Sequence, residues 1–168
     1  MRRVIIVGAP GSGKSTLARA LSGRLGLPVV HLDPLFWEPG WREPADRSAF
    51  RRRVAQAIAG EAWITDGNFV TDTFALRLPR ADTVVILDRS PWICFARILW
   101  RIVFHRRRAD LPAGCPDALD GDLIAFVTGF RRESLPRIEA ALAAHEGDLA
   151  VVRLTSDRAM RAFLATAA

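Results

Sequence analysis

The stretch Gly8-Ala9-Pro10-Gly11-Ser12-Gly13-Lys14-Ser15-Thr16 matches the pattern G-x-x-x-x-G-K-[ST] at every required position. The chemistry explains the spacing. Glycines let successive backbone N–H groups turn inward around a polyphosphate, and the following helix opens its positive end toward the anion. Lys14 adds a mobile cation for the β- and γ-phosphates, and the Ser15 hydroxyl can ligate Mg²⁺. Lys14 is the only lysine in the sequence; the other long basic side chains are all arginine. A nucleoside triphosphate with Mg²⁺, ATP in the first instance, is the ligand this loop predicts.

Other side chains are spaced to work with such a ligand. Asp66 and Asp88 each close a short apolar run, where a carboxylate can hold Mg²⁺ through its waters opposite Ser15. Asp66 is the first candidate and Asp88 the second. Asp33 ends another run, expected close to the phosphate-loop strand. A carboxylate there can take the proton of an attacking hydroxyl, orient a substrate, or only form an Asx turn before Pro34. Arg97, Arg101 and Arg108 share one side of a helical stretch, with Trp92, Phe95, Leu99, Ile102 and Val103 on the other. The arginines are expected to meet a phosphate if the segment after them folds back as a lid. Arg131 and Arg132 form a weaker basic pair, and Arg51-Arg52-Arg53 point in three helix directions, as solvated surface does. His31, His105 and His145 lack metal-ligand spacing. Trp37 and Trp41 either stack on a planar ligand or roof the site.

These residues need a scaffold, and the apolar runs supply one. Val4–Val7, Val29–Leu32, Ala62–Thr65, Thr83–Leu87 and Leu149–Leu154 are short and rich in β-branched residues, as buried strands are. Helical patterns separate them: one after Lys14 that stops at Gly26 and Pro28, one over Pro44–Gly60 with Phe50, Val54, Ala57 and Ile58 inward, and one over Pro91–Arg108 capped by Ser90. A longer one spans Asp122–His145, bent near Pro136, and a last one is capped by Ser156 or Asp157. Strands alternating with helices predict a parallel sheet covered on both faces, with ligands at the C-terminal strand ends. Gly8, Asp33, Asp66 and Asp88 all fall at such ends. The polar, turn-rich stretch 106–120, with Pro112, Gly114 and Pro116, reads as the lid.

With 168 residues, half of them hydrophobic, the chain suits a single globular domain. The N-terminal apolar run is too short for a signal peptide, and Arg97 and Arg101 interrupt the longest membrane candidate, Trp92 to Phe104. Cys94 and Cys115, far apart, read as free thiols of a cytoplasmic protein. A net charge of +6 and an isoelectric point of about 11.0 favour anionic partners. There is no helix-turn-helix signature or other nucleic-acid module.

The loop Gly8–Thr16, the Asp66-Gly67 pair and the arginine helix before a lid resemble the adenylate-kinase-like P-loop kinases. A closer resemblance is to the DNA topology modulation, or FlaR-like, P-loop proteins. It rests on His31-Leu32-Asp33, Leu35-Phe36-Trp37, Pro39-Gly40-Trp41, Trp63 to Phe69 and Gly114-Cys115-Pro116. The resemblance implies a three-layer α/β sandwich with a five-stranded parallel sheet in the order 2-3-1-4-5. It further implies Thr155-Ser156-Asp157 as a loop on the adenine side. Asn68-Phe69-Val70 stands where adenylate kinases carry Phe-Pro-Arg, and the tryptophan loop replaces their monophosphate pocket. An aspartate after the second strand is similar to that of shikimate and gluconate kinases, where it holds the acceptor hydroxyl. The reading is a monomeric cytoplasmic kinase for a small nucleotide or hydroxylated metabolite. Lys14, Asp33, Arg97 and Arg101 would be catalytic, and Ser15 and Asp66 would hold Mg²⁺. Two rivals stand beside it: a nucleotide-binding regulator of DNA topology without turnover, and an ATPase whose function a partner protein supplies.

Overall fold

The computed structural model describes residues 1–104, 112, 114–115 and 119–167. The apolar runs form β1 (Arg3–Gly8), β2 (Val29–His31), β3 (Trp63–Asp66), β4 (Thr83–Leu87) and β5 (Ala150–Leu154). All pair in parallel, in the order β2-β3-β1-β4-β5, as expected. Around them lie α1 (Lys14–Leu25), α2 (Asp33–Phe36), α3 (Arg47–Ala57), α4 (Val70–Arg77), α5 (Pro91–Phe104), α6 (Gly121–Ala143) and α7 (Asp157–Thr166).

The central strand shows why the fold has three layers. Side chains alternate across a strand, so Val4 and Ile6 join Leu17, Leu21 and Ile64 under α1, while Ile5 and Val7 join Phe50, Trp63, Ile98 and Phe130 on the other face. Each such fully buried Val or Ile contributes about 1.5–3 kcal/mol relative to exposure. The sheet sets the site as well. Asp66 lies in register with Ile6, and Leu87 with Gly8, so the ends of β3 and β4 flank the start of the phosphate loop.

Several sequence expectations need correction. Only Cys94 and Ile98 of α5 are fully buried, while Trp92, Leu99 and Val103 are 81%, 48% and 63% exposed. The helix crosses the phosphate loop at close range: a Cβ built on Gly11 would come within 2.5 Å of the Cys94 carbonyl oxygen. Small Cys94 fits that crossing where a large aromatic ring would not, so the bulkiest face is turned outward. The apolar run of β5 is an edge strand, with Val151 exposed, so the sheet is not covered on both faces there. Helix α3 begins after Asp46, whose side chain accepts from the Ser48 N–H at 2.8 Å, rather than at Pro44, and Ala57 is exposed. Asp120 caps α6, and Ser156 rather than Asp157 caps α7. Helix α4 was not anticipated. Cys94 and Cys115 are free and buried. Among the described residues no helix is long and apolar enough to cross a membrane. Arg108 and His105 lie outside the described residues, as does most of the expected lid, 106–111, 113 and 116–118.

Candidate functional site

The phosphate loop has the geometry its sequence requires. Gly11 and Gly13 hold φ of 75° and 103°, where a side chain would strain the backbone. Gly13 is the N-cap of α1 and supplies no side-chain cap, so the first N–H groups of the helix are left to a ligand. Lys14 Nζ donates to the Ala9 carbonyl at 3.2 Å, folded across the loop. Ser12 is buried, and its Oγ lacks a hydrogen-bond partner among the described residues. Uncapped donors, a cation over the turn and an orphaned hydroxyl all fit a polyphosphate.

The loop is anchored from β3, through contacts absent from the sequence reading. Asn68 Oδ1 accepts from the Gly8 N–H at 2.9 Å, and its Nδ2 donates to the Gly8 carbonyl at 3.0 Å. Arg77, fully buried, in turn holds this segment: it donates to the Gly67 carbonyl at 3.1 Å, to Thr65 Oγ1 at 3.3 Å and to the Asn68 carbonyl. Burial pushes its guanidinium down to about 9, so it remains a cation at neutral pH. Arg77→Met should leave those oxygens unsatisfied and cost about 1–3 kcal/mol of stability, a drop of several degrees in melting temperature. An unchanged melting temperature would show that the anchor carries no load.

The two candidate magnesium carboxylates differ. Asp66 is 6% exposed, and its Oδ2 lies 2.8 Å from His31 Nδ1. Asp88 receives Arg131 Nε at 2.8 Å on Oδ1 and Arg153 Nη1 at 3.8 Å on Oδ2. Two guanidinium groups compete with a metal for Asp88, which favours Asp66 for Ser15's partner. Arg131 and Arg132 are both exposed, and Arg131 is paired with Asp88. Among the described residues no cluster of three or more His, Cys, Asp or Glu side chains stands ready for a metal.

Asp33 does not end β2; it opens the short helix α2, half-buried. As the expected order requires, β3 lies between β2 and the phosphate-loop strand. Asp33 therefore sits beside the Asp66 end of β3, where the Leu32 N–H donates to the Asp66 carbonyl at 3.0 Å. Beyond it the Trp37 and Trp41 rings meet edge to face, 5.6 Å apart. Described residues of the 106–120 stretch join this loop. The Gly40 N–H donates to the Gly114 carbonyl at 3.0 Å, the Trp41 N–H to Cys115 Sγ at 3.3 Å, and the Cys115 thiol to the Glu38 carbonyl at 3.2 Å. A cleft of about 480 Å³ runs between Pro34–Pro39 and the start of α3. Arg51, Arg52 and Arg53 are exposed, as expected; Arg53 reaches the Leu35 carbonyl at 2.6 Å on the rim of that cleft.

Arg97 reaches the phosphate loop without a lid. Its Nη1 donates to the Ser12 carbonyl at 3.1 Å. Cys94, Arg97 and Ile98 face the loop, and Arg101 follows on the same helix face by its i, i+7 spacing from Cys94. Arg97 Nη2 also donates to both Asp157 oxygens, and buried Arg89 donates to Oδ1 as well. The signal for Arg89 was available: it directly follows Asp88 at a strand end.

The sequence profile of a family described as an AAA domain matches residues 3–93, more than half of the chain. The chain belongs to this AAA-domain family. The matched stretch carries the phosphate loop, Asp33, Asp66 and Asp88, and stops before Arg97 and Arg101. Among curated proteins, the chain is 37% identical to a shikimate kinase of Symbiobacterium thermophilum over 109 residues, 56% of this chain and 62% of that one. It is 29% identical to an adenylate kinase of Pseudarthrobacter chlorophenolicus over 80 residues, 48% of this chain and 36% of that one. The chain thus spans less than two thirds of the length of these curated relatives. A solved gluconokinase from Sinorhizobium meliloti superposes with a TM-score of 0.55 at 17% identity, covering 98% of this chain and 91% of its own. That likeness is one of fold.

Proposed function

We propose that the protein is an ATP-dependent phosphotransferase acting on a small nucleotide or hydroxylated metabolite. The observation that carries this reading is the shared edge of the sheet: Gly8, Asp66 and Asp33 end or follow β1, β3 and β2, which are neighbours. Lys14 and the loop amides hold the β- and γ-phosphates. Ser15 and Asp66 hold Mg²⁺, which when bound neutralises charge that develops on the phosphate oxygens. Arg97 and, one turn on, Arg101 add positive charge at the loop. Asp33 accepts the proton of the acceptor hydroxyl, with Trp37 and Trp41 walling the acceptor's side. Thr155-Ser156-Asp157 borders the nucleoside side. The protein acts as a cytoplasmic monomer.

The topology-modulation resemblance is compatible with this chemistry, because two of its blocks, Pro39-Gly40-Trp41 and Gly114-Cys115, touch each other beside the acceptor side. A screen of nucleotides and hydroxylated metabolites for acceptor-dependent ADP formation from ATP tests the reading. At least one acceptor should raise ADP formation well above the hydrolysis background. Acceptor-independent hydrolysis together with tight duplex-DNA binding that falls steeply with salt would favour the DNA regulator instead.

A further inference from the structure

Two arginines converge on one carboxylate behind the phosphate loop. Arg89, just past β4, is 1% exposed, and its Nη2 donates to Asp157 Oδ1 at 2.8 Å. Arg97, in α5, donates through Nη2 to both Asp157 oxygens at 2.6 and 2.7 Å, and through Nη1 to the Ser12 carbonyl at 3.1 Å. A single guanidinium therefore joins the phosphate loop to the first residue of α7. Its Nη1 also lies 3.5 Å from the place a Cβ on Gly13 would take, so it packs against the outer side of the turn.

Arginine forks are planar, and charge-assisted hydrogen bonds fix the plane. Arg97 is a long and partly exposed side chain, and its stem alone would not hold one position against the loop. The carboxylate does that, and it is itself held by a buried cation. Arg97 keeps the Asp157 carboxyl below the usual carboxylate range, as expected for a clamp that needs the ionised form.

We propose that Asp157 is a positioning residue for nucleotide binding: with Arg89 as its buried anchor, it clamps Arg97 against the Ser12 carbonyl, holds the Gly11–Gly13 turn in its phosphate-accepting shape and ties α7 to that turn. The proposal rests on the reading of Gly8–Thr16 as a triphosphate site. It assigns a role to Arg97 and Asp157, which lie beyond the matched stretch 3–93.

Calorimetric titration of a non-hydrolysable ATP analogue with Mg²⁺ tests it, on the wild type, Asp157→Asn, Arg97→Ala and the double variant. Each single change should weaken binding about tenfold, and the double variant should be no weaker than either, because both break one clamp. Additive losses, near a hundredfold in the double variant, would overturn the proposal. So would unchanged affinity in Asp157→Asn with only a lower melting temperature, the mark of a structural role. Tighter binding in Asp157→Asn would also overturn it, since Asp157 would then compete with the phosphates for Arg97. Arg97→Lys keeps the charge and loses the fork; it should bind more weakly than the wild type, and wild-type affinity there counts against the clamp even if Asp157→Asn folds poorly. Lys14→Ala separates the two levels. If it binds like the wild type, or the wild type does not bind, the triphosphate site and the clamp both fail. If Lys14→Ala loses binding while Asp157→Asn keeps it, only the clamp fails.

Discussion

Lys14→Ala is expected to lower ATP-dependent turnover by about 30- to 1,000-fold, the loss of roughly 2–4 kcal/mol of charge-assisted stabilisation of a developing anion. The side chain is half-buried and spans the turn to the Ala9 carbonyl, 3.2 Å away, which is a single neutral acceptor. A triphosphate offers it several charged oxygens, so the ammonium exchanges a modest contact for stronger ones. The sequence offers no second lysine to substitute. Arg97 is committed to Ser12 and Asp157, and cannot reach round to replace the missing charge without giving up both contacts. Because the loop's shape depends on Gly11, Gly13, Asn68 and Arg77 rather than on Lys14, the variant should fold with little change in melting temperature. Equal nucleotide affinity and equal turnover in the two proteins would remove Gly8–Thr16 as the site.

The strands were legible because each is a brief apolar run, and in β1, β3 and β4 burial on both faces leaves no alternation to confuse the reading; their order came from the family resemblance. The phosphate loop and the strand-end carboxylates came with them. The inward face of α5 was not legible, because amphipathicity ranks residues by hydrophobicity, whereas this face is set by how closely a backbone can approach Gly11. Small Cys94 and Arg97 took the place at the loop that Trp92, Leu99 and Val103 were expected to fill on the inward side. Arg77 was hidden for a related reason: an arginine in sequence looks solvated, and only the carbonyls of Gly67 and Asn68 explain its burial. Asp33 was expected at the end of β2 but opens α2, and its neighbour across the strand ends is Asp66 of β3. The sheet order itself separates β2 from β1, so its proximity to the phosphate end had to run through Asp66.

That neighbour sharpens what Asp33→Asn should do. Asparagine keeps the size and much of the hydrogen bonding but removes the base and the charge. If Asp33 takes the proton of the acceptor hydroxyl, acceptor-dependent turnover should fall by about 10²–10⁴-fold. Affinity for ATP should hardly change, since Asp33 opens α2 on the far side of β3 from the loop. The helix start is expected to survive, because Pro34 presets its first turn and the contact from the Trp37 N–H goes to the Asp33 backbone carbonyl, at 2.9 Å, which the substitution leaves in place. The pH profile adds a second reading. A carboxylate acting as base gives turnover that falls on acidification through its titration, and that limb should vanish in Asp33→Asn while the residual rate stays flat. Turnover within about threefold of the wild type, well short of what loss of a general base costs, would leave Asp33 as a helix-opening residue only.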